Sequence, residues 1–286
     1  MVVEPALAAD LAVAVAAIRA RIARAAESVG RDPATVTLIA VTKTQPLTRI
    51  AAAHACGIMD FGENRVQEAL LHFAPTSPPT PPLRREGSLD YALDAAYGAE
   101  ITQRDSPPPF VGEGVGGRGL PRTGLRLHLI GPLQRNKARR AAAFFDTIQS
   151  VDRIDLAQAL EQHRAADWPD APPLPVLIEV NISGEASKSG VAPADVPALA
   201  DALRACPHLL PQGLMTVGAP GLSEAAARRQ FAAMRALRDA LAAAHPDLPW
   251  SSLSMGMSDD FEAAIREGAT QVRLGRVLFG AREGAL

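Results

Sequence analysis

Apolar positions along this chain switch repeatedly between two patterns. Over residues 5–29 the larger apolar side chains Leu7, Leu11, Ile18, Ile22 and Val29 recur at helical spacing and predict one long amphipathic helix. Beyond it, short continuous apolar runs alternate with helical segments. The runs predict strands at 36–43, 57–62, 125–131, 147–151, 175–181, 211–217, 250–256 and 270–274. Helices are predicted at 46–56, 64–73, 133–144, 153–165, 193–205, 222–244, 259–267 and 276–280. Runs such as Val176-Leu177-Ile178-Glu179-Val180 are what a parallel sheet covered on both faces requires. Eight strands, each followed by a helix, predict an α/β fold: a single (β/α)8 TIM-type barrel with an extra N-terminal helix. A doubly wound open sheet would give the same local signals, and the strand count favours the barrel.

Residues 75–123 break the rhythm. They hold nine prolines and seven glycines, with runs such as Pro-Thr-Ser-Pro-Pro-Thr-Pro-Pro and Gly-Val-Gly-Gly-Arg-Gly. Without apolar periodicity such a segment buries little surface, so it is expected to be a disordered insertion between the second helix and the third strand. The expected organisation is therefore one domain, 1–286, interrupted at 75–123.

Charge excludes more than it selects. A formal net charge of −2 gives no global pull toward nucleic acid or an anionic membrane. No apolar stretch reaches the ~18 residues of a membrane span, and the N-terminus lacks the pattern of a signal peptide. Two isolated cysteines, Cys56 and Cys206, form neither a disulfide framework nor a metal site. A cytoplasmic protein is expected.

Lysine usage points to chemistry. Of 29 basic residues only Lys43, Lys137 and Lys188 are lysines. Arginine serves for plain charge, but only an ammonium can lose its proton and become a nucleophile. Lys43 closes the run Leu38-Ile39-Ala40-Val41-Thr42, where a lysine can be presented to an aldehyde as a Schiff-base nucleophile; a lysine snorkelling at a strand end is the plainer alternative. Other polar motifs fall at the same strand ends: Gly62-Glu63-Asn64, His128 ahead of Gly131-Pro132, Asn181-Ile182-Ser183, Met215, Ser254 through Asp260, and Arg273-Leu274-Gly275. In a barrel that is the active face. Ser258 is expected to cap the seventh helix, and Gly256 and Gly275 would let the backbone approach an anion without a clashing Cβ. The loops after strands seven and eight often build a phosphate site. A lysine opposite a phosphate cradle implies pyridoxal 5′-phosphate, with Arg273 facing the ring nitrogen and weakening the ring as an electron sink. His128 also reads as a hydrogen-bonded core residue, and Met215 as packing. Glu179, a carboxylate on a buried strand, needs a partner such as an inward basic residue.

These motifs resemble the pyridoxal phosphate homeostasis proteins, a single-domain group similar to the barrel domain of alanine racemase. The resemblance is carried by Ile39-Ala40-Val41-Thr42-Lys43-Thr44, Phe61-Gly62-Glu63-Asn64-Arg65, His128-Leu129-Ile130-Gly131-Pro132-Leu133-Gln134, Val180-Asn181-Ile182-Ser183, Gly213-Leu214-Met215, Ser254-Met255-Gly256-Met257-Ser258 and Val272-Arg273-Leu274-Gly275. It implies a Schiff base on Lys43, phosphate contacts from Ser254, Ser258 and Gly275, the ring-facing Arg273, and Asn64, His128 and Met215 near the pocket. It further implies carrying or buffering of the cofactor without turnover, with apo-enzymes as recipients. One departure is Arg276, where the family usually has a small hydroxyl residue; arginine there would trade a hydroxyl contact for a charged one. A racemase is the alternative, but such enzymes need a second acid/base residue, normally a tyrosine from a β-domain. The only tyrosines are Tyr91 and Tyr97, inside the insertion, and no length remains for a β-domain, so a monomer without racemase activity is expected. A phosphate-ligand barrel with no Schiff base is the third reading.

Overall fold

In the computed structural model, residues 4–73, 120, 122, 124–185, 188–219 and 221–280 are described. The insertion expected at 75–123 lies outside them except for Leu120 and Arg122 near its end, as do Tyr91 and Tyr97.

The eight strands are β1 (Thr37–Val41), β2 (Asp60–Glu63), β3 (Arg126–Leu129), β4 (Thr147–Val151), β5 (Leu174–Glu179), β6 (Leu209–Met215), β7 (Ser252–Ser254) and β8 (Gln271–Leu274). They pair in sequence order, all parallel, and β1 pairs with β8 to close the barrel. The helices are α1 (Pro5–Glu27), α2 (Leu47–Ala55), α3 (Val66–Phe73), α4 (Ala138–Phe144), α5 (Ile154–Asp167), α6 (Val196–Arg204), α7 (Glu224–Ala244), α8 (Phe261–Arg266) and α9 (Arg276–Phe279). The expected (β/α)8 barrel with its extra N-terminal helix is the fold observed.

Strand alternation sorts the core into two parts. Ala40, Phe61, Leu127, Leu129, Ile148, Val176, Ile178, Leu214, Leu253, Val272 and Leu274 join the buried cluster between strands and helices. The residues between them, among them Ile39, His128, Gln149, Leu177, Met215, Ser254 and Arg273, point the other way, into the barrel. The outer layer is apolar throughout, as a doubly covered sheet demands. The interior mixes aliphatic groups with buried polar ones. Helix α1 buries Leu11, Val15, Ile18 and Ile22 against α2, α8 and α9, so the extra helix covers the seam where the barrel closes.

Several boundaries shift from expectation. β1 stops at Val41 because Thr42–Gln45 folds into a turn, with the Gln45 N–H donating to Thr42 O at 2.9 Å. Lys43 therefore sits in that turn, two residues past the strand. β7 stops at Ser254 because Gly256 turns the chain at φ +95°; an added Cβ there would lie 2.7 Å from Ala264 Cβ and 2.9 Å from Phe261 Cα. α8 begins at Phe261 with Asp260 at its N-cap, so Ser258 does not cap it.

The loops after β2 and β3 meet closely at Gly131. A Cβ on Gly131 would lie 2.3 Å from Asn64 O and 2.8 Å from Asn64 Cα, both backbone atoms. Gly131→Ala should lower stability by about 3 kcal/mol, because neither strand end can retreat without breaking ladder bonds. Urea unfolding measures it, and an unchanged midpoint would contradict the contact.

Candidate functional site

The site is built from the turn that carries Lys43. Thr42 at its base is fully buried; its hydroxyl donates to Glu63 Oε1 at 2.6 Å, and the same oxygen lies 2.7 Å from His72 Nδ1. Glu63, the last residue of β2, is completely buried and thus clamps the turn to α3. Thr44, the third turn residue, has φ +63°, a backbone region that a β-branched side chain seldom occupies. Local strain of this kind persists only where the surroundings hold it. Lys43 is half-buried and makes contacts of its own in this setting.

Neighbouring strand ends bring the other expected residues toward Lys43. Val41 pairs with Gly62, which puts Asn64, half-buried, beside the turn. On the other side Ala40 pairs with Leu274, and a Cβ on Gly275 would lie 3.5 Å from Val41 Cβ. The loops after β7 and β8 are stitched together twice. Ser258 Oγ accepts from the Val277 N–H at 3.2 Å, and the Arg276 guanidinium pairs with Asp259. Ser258 thus serves the first turn of α9 instead of its own helix. Lys43, Asn64, Ser258, Gly275 and Arg276 form a rim at the carboxyl ends of β1, β2, β7 and β8.

Deeper in the barrel lie Met215, Arg273, Ser254 and His128, all buried. The Arg273 guanidinium reaches sideways, donating from Nη1 to Ser254 Oγ and from Nη2 to Thr216 O, both at 2.6 Å. Ser254 passes its own proton to Gln149 Oε1 at 2.6 Å. A phosphate contact from Ser254 would have to share a hydroxyl already engaged on both sides. His128 is spaced between Asp60 Oδ1, 3.0 Å from Nε2, and Gln149, 3.1 Å from Nδ1. Both ring nitrogens are therefore used within the barrel, as the core-residue reading has it.

Electrostatics focus on one cation and the acids around it. Burial lowers the Arg273 pKa to about 10, against the pull of Glu179 and Asp260, so it stays charged at neutral pH. Glu179, as expected of a buried carboxylate, has an inward arginine nearby. Burial and then the Asp152 charge raise its pKa to about 7, with Arg273 opposing, and its Oε2 is buried without a hydrogen-bond partner. For a carboxyl with a raised folded pKa, stability is greatest below the unfolded value near 4.5 and falls as pH rises toward 7. Glu179→Gln should therefore gain stability at pH 8, by about 1–3 kcal/mol, and change little at pH 4. Urea unfolding at the two pH values reads this; equal effects at both would contradict it.

Sequence reasoning named Glu63 only within a strand-end motif and missed His72, Asp60 and Gln149. For Glu63 and Asp60 the signal available was a carboxylate on a buried strand, which is costly unless paired; His72, on a helix, gave none. On the opposite, amino-end face a cleft of about 440 Å³ opens between α1 and the starts of β1, β2 and β3, lined by Arg19, Ile22, Met59 and Arg126 among others. It is remote from Lys43. Among the described residues no helix is long and apolar enough to cross a membrane.

Comparison with known proteins agrees with this geometry. Residues 13–283 match the family described as alanine racemase, N-terminal domain. The chain is 43% identical over 269 residues to the pyridoxal phosphate homeostasis protein of Pseudomonas aeruginosa, covering 94% of each. It is 38% identical over 275 residues to the protein of that name in Escherichia coli K12, covering 96% of this chain and 97% of the relative. The structure of PipY from Synechococcus elongatus with PLP bound superposes with a TM-score of 0.66 at 31% identity, over 94% of this chain and 100% of PipY. The chain belongs to the alanine racemase N-terminal-domain family, among its pyridoxal phosphate homeostasis proteins.

Proposed function

We propose that this chain binds pyridoxal 5′-phosphate at the carboxyl face of its barrel, holds it by a Schiff base on Lys43, and carries or buffers it in vitamin B6 homeostasis without catalytic turnover. The residues present fit the group. Glu179 Oε2 is buried and unpartnered beside the Arg273 guanidinium, so the mouth holds unspent polar capacity for a ring compound. The rim supplies an ammonium, a hydroxyl, an amide and a guanidinium, donors suited to an aldehyde and a phosphate. The observation that carries the reading is the approach of Val41 to Gly275, which sets the Lys43 turn beside the Ser258–Val277 seam. The names of the relatives and the PLP bound in PipY support it.

When bound, the cofactor supplies an aldehyde that an amine can attack and a ring that can accept electrons. Lys43 would be the attacking amine, kept in place by the Thr42–Glu63–His72 clamp. Ser258, Gly275 and the start of α9 would face the phosphate, with the Arg276 guanidinium beside them and its charge shared with Asp259. Asn64 would line the rim, and Met215 would pack beneath the ring. Arg273, donor only, cannot protonate a ring nitrogen and would leave the ring a poor electron sink, which suits holding over turnover. Two free cysteines fit a reducing cytoplasm, where a monomer would hand the cofactor to apo-enzymes.

Absorbance titration of the purified chain with pyridoxal 5′-phosphate and with pyridoxal tests both halves of the site. Saturable uptake of the phosphorylated form, with a new visible band and much weaker uptake of pyridoxal, is expected. Equal uptake of both would remove the phosphate cradle from the reading.

A further inference from the structure

The barrel interior contains a polar chain of which ligand binding as described uses only the first member, Arg273. It begins at Arg273 Nη1, 2.6 Å from Ser254 Oγ. Ser254 Oγ lies 2.6 Å from Gln149 Oε1, Gln149 Nε2 lies 3.1 Å from His128 Nδ1, and His128 Nε2 lies 3.0 Å from Asp60 Oδ1. Arg126 closes the far end, its Nε and Nη2 on the two oxygens of Asp60 at 2.7 and 2.6 Å. Gln149 and Ser254 are completely buried, whereas the Arg126 side chain is 59% exposed at the amino end of β3. The chain therefore runs through the barrel, from beneath the mouth to the opposite face.

Its direction follows from its first member. A guanidinium only donates, so Ser254 accepts from Arg273 and gives its single proton to the Gln149 oxygen. That fixes the amide: Gln149 Nε2 points at His128 Nδ1 and donates to Gln271 Oε1 at 2.8 Å. Nδ1 must then accept, which leaves the imidazole proton on Nε2, donated to Asp60. Burial disfavours the Asp60 charge, but the hydrogen bonds from His128 and Arg126 outweigh it and hold the carboxyl below its usual range. Between Arg273 and Asp60 each link of the chain thus donates in the same direction, from the Arg273 cation toward one buried anion that Arg126 meets from the other side. Such bonds polarise one another in the same sense.

Barrels of this type fill their interior with branched aliphatic side chains. A glutamine, a histidine and an aspartate there are costly unless every one is paired. We infer that Gln149, His128 and Asp60 are positioning residues for Arg273, locking its guanidinium in the one orientation in which it meets the bound ring. The inference rests on the reading that Arg273 faces pyridoxal 5′-phosphate. Without the chain, Ser254 would lose its acceptor and be free to turn, and Arg273 would keep only its bond to Thr216 O.

Two measurements test this. Nitrogen NMR of the cofactor-free protein, with labelled histidine, reads the His128 tautomer directly. A bare Nδ1 and protonated Nε2 at neutral pH are expected; the opposite tautomer overturns the chain whether or not the protein binds pyridoxal 5′-phosphate. The second compares Gln149→Met, which removes both the acceptor for Ser254 and the donor to His128, with Gln149→Glu, which restores only the acceptor. Gln149→Met should shift the visible band of bound pyridoxal 5′-phosphate and weaken its uptake about tenfold, and Gln149→Glu should return the band part of the way, since the link to His128 and Asp60 stays cut. An unchanged band in Gln149→Met, or no return in Gln149→Glu, overturns the positioning role. Where Gln149→Met fails to fold, the tautomer and the Gln149→Glu band decide. A parent protein that takes up no cofactor, yet shows the expected tautomer, overturns the assigned role while sparing the hydrogen-bond chain, so the two failures are distinguishable.

Discussion

A Lys43→Ala protein keeps its fold and loses its grip on pyridoxal 5′-phosphate, with affinity falling by about a hundredfold or more and the visible band absent. Lys43 lies in a turn, half-buried, and the contacts that hold the turn belong to Thr42 and Glu63. The Thr42–Glu63–His72 clamp does not use the Lys43 side chain, so the turn should stay folded in the variant. The affinity loss comes from the covalent link, which none of the phosphate contacts can replace. Arginine at this position would keep the charge but cannot become a nucleophile, so Lys43→Arg should fail in the same way. Isothermal titration and absorbance together read the outcome. Full affinity in Lys43→Ala would leave a barrel that holds a phosphate ligand without a Schiff base.

The second large effect is on stability. Arg273→Met should cost about 3–5 kcal/mol at pH 8, because it removes one partner from a buried polar cluster and leaves the others unpaired. Thr216 O and Ser254 Oγ each lose a 2.6 Å donor, and Glu179 and Asp260 lose the nearby cation that favours their charge. With the cation gone, the Glu179 pKa should climb further above its value of about 7, so the penalty should shrink on moving toward pH 5, where that carboxyl is already neutral. Pairing Arg273→Met with Glu179→Gln should recover part of the loss, since the carboxylate left behind is a main source of it. Urea unfolding of both single variants and the double variant at pH 8 and pH 5 measures this. A loss under about 1 kcal/mol at pH 8 would mean that Arg273 is not the cation organising the mouth.

The barrel was legible in the sequence because each strand is a short apolar run bounded by turn residues, and a parallel barrel permits little else. The strand ends were less legible. Lys43 reads as the last residue of a strand because Val41 and Thr42 are both good strand formers; the turn that displaces it depends on Glu63 and His72, which are distant in sequence from Thr42. Ser258 reads as a helix cap because a serine before two aspartates has that form, yet its hydroxyl bonds Val277 across the next loop, a tertiary choice with no local signal. Glu179 announced itself as a carboxylate on a buried strand. Gln149 did not, because Thr147-Ile148-Gln149-Ser150-Val151 reads as an ordinary half-polar strand until closure of the barrel buries both of its faces. The chemistry of the rim was visible because lysine is so rare here; the polar interior beneath it was not, because it takes one residue from each of several strands.

Borohydride reduction followed by peptide mapping tests the central claim most directly. The purified protein, loaded with pyridoxal 5′-phosphate and reduced, should carry a stable pyridoxyl adduct on the peptide containing Lys43 and lose its visible band. Label on Lys137 or Lys188 with Lys43 unmodified, or no label at all, would contradict a Schiff base at this site.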